Sequence, residues 1–246
     1  MNEAERIKMK MREERNKDTM FYICVIMFIA FALCLGIISF SKRYKPDSSL
    51  YVNYDLSEDI IPDPVQKSIE HEVFSVDKYG MKITFTKLAS YDVTGKVEAL
   101  KDFSSSLLAN FFSFNSGNFT NYISPRDLAL SWGNVALDEN IDTVSADQYF
   151  FNGDRRVLFS YTHELTSKYG REYVECHTSN NHIIALDNGL RRELLRIKEF
   201  DIVRIIGYLV DVKCDNGWSW GPSSLSREDV GCEIILAEDI VIMPKK

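Results

Sequence analysis

The chain lacks the short motifs that mark the common nucleotide-dependent and zinc-peptidase classes. It has no GxxxxGK[ST] loop to cradle phosphates, no GxGxxG turn and no HExxH pair. No CxxC occurs, which removes a simple thioredoxin-like redox reading. Histidine is scarce, at 4 of 246 residues; His71 and His163 stand alone and carry no role, leaving His177 and His182 near one another. An excess of positive charge is also missing. The whole chain has 29 Lys+Arg against 36 Asp+Glu, a net charge of −7. Clustered Lys and Arg supply most of the affinity for a nucleic-acid backbone, so no nucleic acid is expected as a partner.

Long hydrophobic runs are absent too, with a single exception. Met20–Phe40 (MFYICVIMFIAFALCLGIISF) contains no formal charge. As a helix rising about 1.5 Å per residue it is roughly 31 Å long, the thickness of a hydrocarbon core. The run is longer than the h-region of a cleaved signal peptide, and Ser39–Phe40–Ser41–Lys42 is a poor cleavage site. The expectation is an uncleaved signal-anchor and a single-pass protein of the inner or plasma membrane, touching lipid through that anchor. Six basic residues precede the run (Arg6, Lys8, Lys10, Arg12, Arg15, Lys17) and three follow it closely (Lys42, Arg43, Lys45). That bias puts the N-terminus in the cytoplasm and the main domain in the periplasm or outside the cell. Residues 1–19 then form a short charged cytoplasmic tail, 20–40 the transmembrane helix, and 41–67 a stalk or linker bearing Pro46, Pro62 and Pro64. Residues 68–246 form the soluble domain, with a possible subdomain boundary near 165–170.

The domain reads as β-rich. His71–Val76 and Lys82–Leu88 alternate around the turn Asp77–Gly80, and Val93–Leu100 is a further strand. Leu107–Phe114 is apolar but too short to span a membrane. Ser124–Gly133 reads as a short helix, with Ser124 as its cap, Pro125 at its first position and Gly133 as its end. Arg156–Tyr161 follows an Asn152–Gly153 turn, Arg171–Thr178 is a strand candidate, and Ser179–Asn180–Asn181 is a polar loop. Asp187 or Asn188 caps a helix to about Ile197. Asp201–Val212 is a long strand with a bulge or bend at Gly207, and Cys232–Met243 closes the domain. The fold class that results is a β-rich α+β chain: a transmembrane helix, then a mixed domain whose C-terminal part is an OB-like small barrel. An SH3-like or unrelated α+β arrangement is the alternative.

Five cysteines are present; Cys24 and Cys34 fall in the apolar run and read as small hydrophobes. Cys214 and Cys232 flank a polar loop and are a candidate disulfide in an oxidising compartment. Cys176, His177 and His182 form the one compact set of metal-capable or nucleophilic groups. Zinc is the metal that such donors suit, with Asp187 near enough in sequence to orient one of them; the spacing matches no zinc signature, so no cofactor is otherwise expected. The same three residues are the basis of a Cys-His nucleophile reading. The alternative is structural, with Cys176 inward on a strand and His177 outward. A second concentration is polar and aromatic: Trp218, Trp220, Ser223, Ser224, Ser226, Arg227, Glu228 and Asp229. Two tryptophans one residue apart can share a strand face and stack on a ligand ring or a partner's surface; equally they can roof a core, with Arg227–Asp229 as a surface pair. Asn180 and Asn181 are loop-building groups or ligand-recognising ones. Ser223–Asp229 has no nucleophile-elbow glycines.

His177–Ile184, Val203–Val212, Trp218, Ser226–Asp229, Cys232–Glu233 and the segment Ser124–Pro125, Asp127 and Leu128–Gly133 together resemble a group of bacterial single-pass membrane proteins with no established function. The likeness covers roughly residues 120–242 and implies a shared architecture, without an activity. These readings lean away from an enzyme. They lead to a membrane-anchored envelope protein that binds or scaffolds, its partner another envelope protein or a second copy. A metal- or thiol-dependent envelope enzyme using the Cys176-His177-His182 region is the alternative. Ligand-facing residues would be Trp218, Trp220, Ser226, Arg227, Asp229, Asn180 and Asn181.

Overall fold

The computed structural model describes residues 60–78, 80–103, 116–149, 155–225 and 232–243. These residues all fall within one compact unit, Tyr44–Lys246. More than half of them lie in strands, which make a large mixed sheet. The apolar run Met20–Phe40, the segment Leu107–Phe114 and the Asn152–Gly153 turn lie outside the described residues. Among the described residues no helix is long and apolar enough to cross a membrane.

Alternation of apolar and polar residues sets the first two strands. β1 (Val65–Lys78) and β2 (Met81–Asp102) form an antiparallel hairpin that turns at Gly80, whose φ of 75° favours glycine. β1 starts inside the expected stalk, and Ile61 forms an isolated bridge to Gly133. β2 is 22 residues long, merging two expected strands into one. That length lets it pair three times: with β1 and then β3 (Arg126–Ser131) along its course, and with β7 (Ile202–Cys214) over Ile83–Lys96. Register shifts between Lys87 and Ala89 and between Val97 and Ala99 bend it.

β3 also pairs antiparallel with β6 (Thr178–Ile184), which runs parallel to β9 (Cys232–Ile242); β9 pairs antiparallel with β7, which also pairs with the two-residue strand β8 (Ser219–Trp220). The ring β2–β3–β6–β9–β7 therefore closes on β2. Numbering its members by position in the chain, their order round the ring is first, second, third, fifth, fourth. Its interior holds Tyr91, Val93, Leu128, Leu130, Ile183, Val203, Ile205, Leu209 and Ile235. Gly207 lies at the β7–β9 register shift, where a Cβ would fall 2.1 Å from the Leu236 carbonyl oxygen. A bulge at Gly207 is thus what the structure contains.

Helix α4 (Asn188–Arg196) closes one end of the interior, delivering Leu190, Leu194 and Ile197 to that core. Asp187 caps it, its Oδ1 accepting from the amides of Gly189 and Leu190 at 2.6 and 3.1 Å. At its other end, Arg126 Nη1 donates to the carbonyls of Leu194 and Ile197 at 3.1 and 2.8 Å. The cation so placed meets the Ile197 carbonyl and adds to the Ile197 amide on that of Leu194, at the end of the helix where the dipole favours positive charge.

A second apolar layer lies outside the ring. There, Phe119 and Ile123 of helix α1 (Ser116–Ile123), Ile83, Phe85, Ile184, Val212, Ile234 and Leu236 pack together, with Trp218 and Trp220 against them. Between β3 and β6 the chain makes an insertion. It consists of the hairpin β4 (Val144–Tyr149) and β5 (Arg156–Tyr161), then helices α2 (His163–Tyr169) and α3 (Arg171–Cys176). Val135, Val144, Leu165 and Val174 form its small core.

Three local expectations are corrected. The helix expected over Ser124–Gly133 is instead the strand β3. Leu128 and Leu130 alternate into the ring while Asp127 and Ser131 face out, and pairing on both edges outweighs the capping signal of Ser124 and Pro125. The strand expected over Arg171–Thr178 is mostly helix α3, with Gly170 before it at φ 85° and only Val174 buried. The polar loop expected at Ser179–Asn181 is the middle of β6, every residue of which is buried.

Candidate functional site

Strand register assembles a polar cluster on the outer face of the ring. Asp127 of β3 is the direct cross-strand partner of His182 on β6, and Asn180 of β6 is the partner of Cys232 on β9. Period-two alternation then puts all four side chains on one face. His182 Nδ1 lies 2.8 Å from Asp127 Oδ1, with both side chains at most 4% exposed. Arg155, just before β5, reaches in from the insertion. Its Nε donates to Asp127 Oδ2 at 2.9 Å, and its Nη2 donates to Oδ1. Its guanidinium also meets the Thr120 carbonyl at 3.3 Å and Ser124 Oγ at 3.4 Å. The ring of Phe103 lies 4.0 Å from the guanidinium carbon and that of Trp220 5.5 Å.

Asn180 stands at the centre. Its Nδ2 donates to the Arg155 carbonyl at 3.0 Å and to Cys232 Sγ at 3.3 Å, and lies 3.5 Å from His182 Nε2. Its Oδ1 meets no donor, although the residue is 3% exposed. Trp220 covers the imidazole with ring centroids 4.9 Å apart. Burial alone would push the His182 pKa down. The Asp127 carboxylate outweighs it, Cys232 adds to the effect through a hydrogen bond and its charge, and the pKa is raised to about 9.

The sequence-predicted residues separate in space. Cys176 ends α3, half-buried. His177 follows it, stacked on Tyr173 at 3.8 Å, with Nδ1 2.7 Å from the Tyr173 carbonyl and Nε2 3.3 Å from Asp63. His182 faces Asp127 on another element, so the three do not form the expected Cys-His-His set. Among the described residues no three of His, Cys, Asp or Glu form a metal-holding group. At the nearest approach to one, Arg155 shares the Asp127 carboxylate and opposes a second cation. Cys214 and Cys232 are free thiols; the first packs in the outer apolar layer and the second accepts from Asn180.

Trp218 packs edge-on to Phe119 at 5.0 Å and lies 6.2 Å from Trp220. Both tryptophans thus rest on the outer apolar layer while staying partly exposed. Ser226, Arg227 and Asp229 lie outside the described residues. Asn181 points the other way from Asn180, its Nδ2 donating to the Leu128 carbonyl and to Ser179 Oγ at 3.3 and 2.8 Å. Sequence reasoning missed Asp127, Arg155 and the placing of Cys232 opposite Asn180. The available signal was a charged residue at the head of a Leu-Ala-Leu alternation, which demands a buried partner once that stretch is a strand. No protein family matches the chain, and no curated protein or solved structure is similar to it.

Proposed function

We propose that the chain is a membrane-anchored envelope protein whose OB-like barrel acts as a binding or scaffolding module. One observation carries this reading: a closed five-strand ring with a long, bent first strand, a parallel third–fifth pair and a helix between the third and fourth strands. Barrels of that order take ligands on the outer face of their second and third strands, between the loops after the first and fourth. In this chain that face is β3–β6, and the flanking segments bring Phe103, Phe119, Trp218 and Trp220 to it. Fold alone does not define a ligand. The acidic balance beyond residue 20, with 23 basic and 31 acidic groups, favours a protein surface over a phosphate backbone. The lipid contact is the Met20–Phe40 anchor, and the occupant of the barrel face is another envelope protein.

The test uses full-length protein in membranes. Ser219 and Leu225 are exposed on the tryptophan-bearing loop, so Ser219→Arg and Leu225→Glu alter that surface without opening the core. Both should reduce crosslinked partner several-fold while circular dichroism stays unchanged. Undiminished crosslinking in both variants would remove this loop from the interface.

A further inference from the structure

We propose that Cys232 is the nucleophile of a thiol site in which His182 handles the proton, Asp127 orients His182, and the substrate is an acyl compound with an N–H beside its carbonyl. This goes beyond the binding reading and depends on neither the anchor nor a partner.

Geometry carries the assignment. A covalent thiol site needs a sulfur within hydrogen-bonding reach of a base, and a third group that fixes the base. Asn180 Nδ2 lies 3.3 Å from the Cys232 sulfur and 3.5 Å from His182 Nε2, which sets sulfur and ring side by side, and Asp127 Oδ1 lies 2.8 Å from the opposite ring nitrogen. Strand register sets all three positions: Asp127 sits opposite His182, and Cys232 opposite Asn180 two residues along the same strand. Trp220 keeps water off the imidazole, while Cys232 remains partly exposed. Arg155, on the same Asp127 carboxylate, adds a guanidinium to the site.

Asn180 identifies the substrate class. Its Oδ1 is a buried acceptor with no donor, which an amide N–H of the substrate would fill. Its Nδ2 now donates to the sulfur. When the sulfur bonds to carbon, that hydrogen is free to receive the developing oxyanion. In the first step the sulfur attacks the carbonyl carbon, an S–C bond forms, and the proton of the thiol resides on His182. The bond to the leaving group then breaks and the leaving group takes that proton. Water next attacks the thioester, His182 accepts its proton and returns it to the sulfur, and a carboxylic acid departs. No oxidant, reductant or metal enters the balance.

The chain supplies its own controls. Cys176 is half-buried on another element, and Cys214 is raised to about 11 by burial and by the Asp215 carboxylate. Full-length protein is treated with iodoacetamide between about pH 6 and pH 8, the range across which an ordinary thiol loses most of its anion, and each cysteine is followed by peptide mass spectrometry. Cys232 should react about tenfold faster than Cys176 across that range, because His182 takes the proton of its sulfur. His182→Gln should bring the Cys232 rate down to that of Cys176, with circular dichroism confirming the fold. The p-nitrophenyl ester of an N-acetyl amino acid should then leave its acyl group on Cys232, and not on Cys176 or Cys214. If Cys232 in the native chain reacts no faster than Cys176, the proposal fails without any variant. A fast Cys232 that is never acylated, or one indifferent to His182→Gln in a folded variant, also overturns it.

Discussion

His182 carries a positive charge in a place where burial should remove it. The Asp127 carboxylate reverses the balance and raises its pKa from 6.5 to about 9, with Cys232 contributing and Arg155 on the same carboxylate. A group whose folded pKa lies above its unfolded one stabilises the fold fully below the unfolded value and loses that contribution as pH rises through the folded one. The unfolding free energy from denaturant titrations should therefore fall between about pH 6.5 and pH 9, by an amount on the order of a few kcal/mol. His182→Gln should flatten that slope; an unchanged slope would place its origin in another group. Arg126 is another buried cation. It ties the end of α4 to β3 and is salt-bridged to Asp102 at 2.8 Å. Arg126→Met takes the cation from two helix-end carbonyls, leaving Leu194 with the Ile197 amide alone, and should cost roughly 2–4 kcal/mol in an unfolding titration. Neither role is legible in the sequence. Asp127 and His182 stand 55 positions apart, and only strand register makes them neighbours.

Elements whose determinants are local are the ones the sequence announces. Asp187 caps α4 because its side chain accepts from amides two and three residues ahead, so the helix is visible in a short window. Removing the cap with Asp187→Ala should lower stability by about 1 kcal/mol, read as a shifted denaturant midpoint. The bulge at Gly207 is legible for a similar reason, since a glycine within a strand marks a close backbone approach. Its Cβ position is 2.1 Å from one backbone atom and 3.0 Å from another, and backbone cannot move aside as a side chain can. Gly207→Ala should break the β7–β9 register and cost about 3 kcal/mol or more, measured by thermal unfolding. Ser124–Gly133 misleads because its capping signal is local while the forces that make it a strand are not. Both edges of β3 are occupied, by β2 and β6, and that pairing exceeds what one short helix could gain. The stretch Ser179–Asn181 misleads in the same way: its polar groups suit a loop until Leu128 and Arg155 supply their partners.

At the scale of the molecule, ring closure depends on β2 meeting β7 more than a hundred residues later, a contact that no window of sequence contains. The coarser outcome was nonetheless readable: runs of alternating and β-branched residues announce a β-rich domain, and its strands make a large mixed sheet. The proposed anchor reverses this relation, because a single window of sequence is all that argues for it. Met20–Phe40 has no charge over 21 residues, and its flanks hold six basic groups before and three after. An arginine at the centre of a membrane helix costs about 2.5–3.5 kcal/mol on the insertion scale, so two of them outweigh most of what the apolar residues gain. Ile29→Arg with Leu33→Arg should therefore release the full-length chain from membranes washed at alkaline pH, while the native chain stays with the pellet. Orientation follows from the same native preparation. A membrane-impermeant maleimide added to intact cells should label the half-buried Cys176 if the barrel lies outside the cytoplasm. Labelling that appears only after the cells are broken would invert the topology, and would move the barrel's partners and any substrate of Cys232 to the cytoplasmic side.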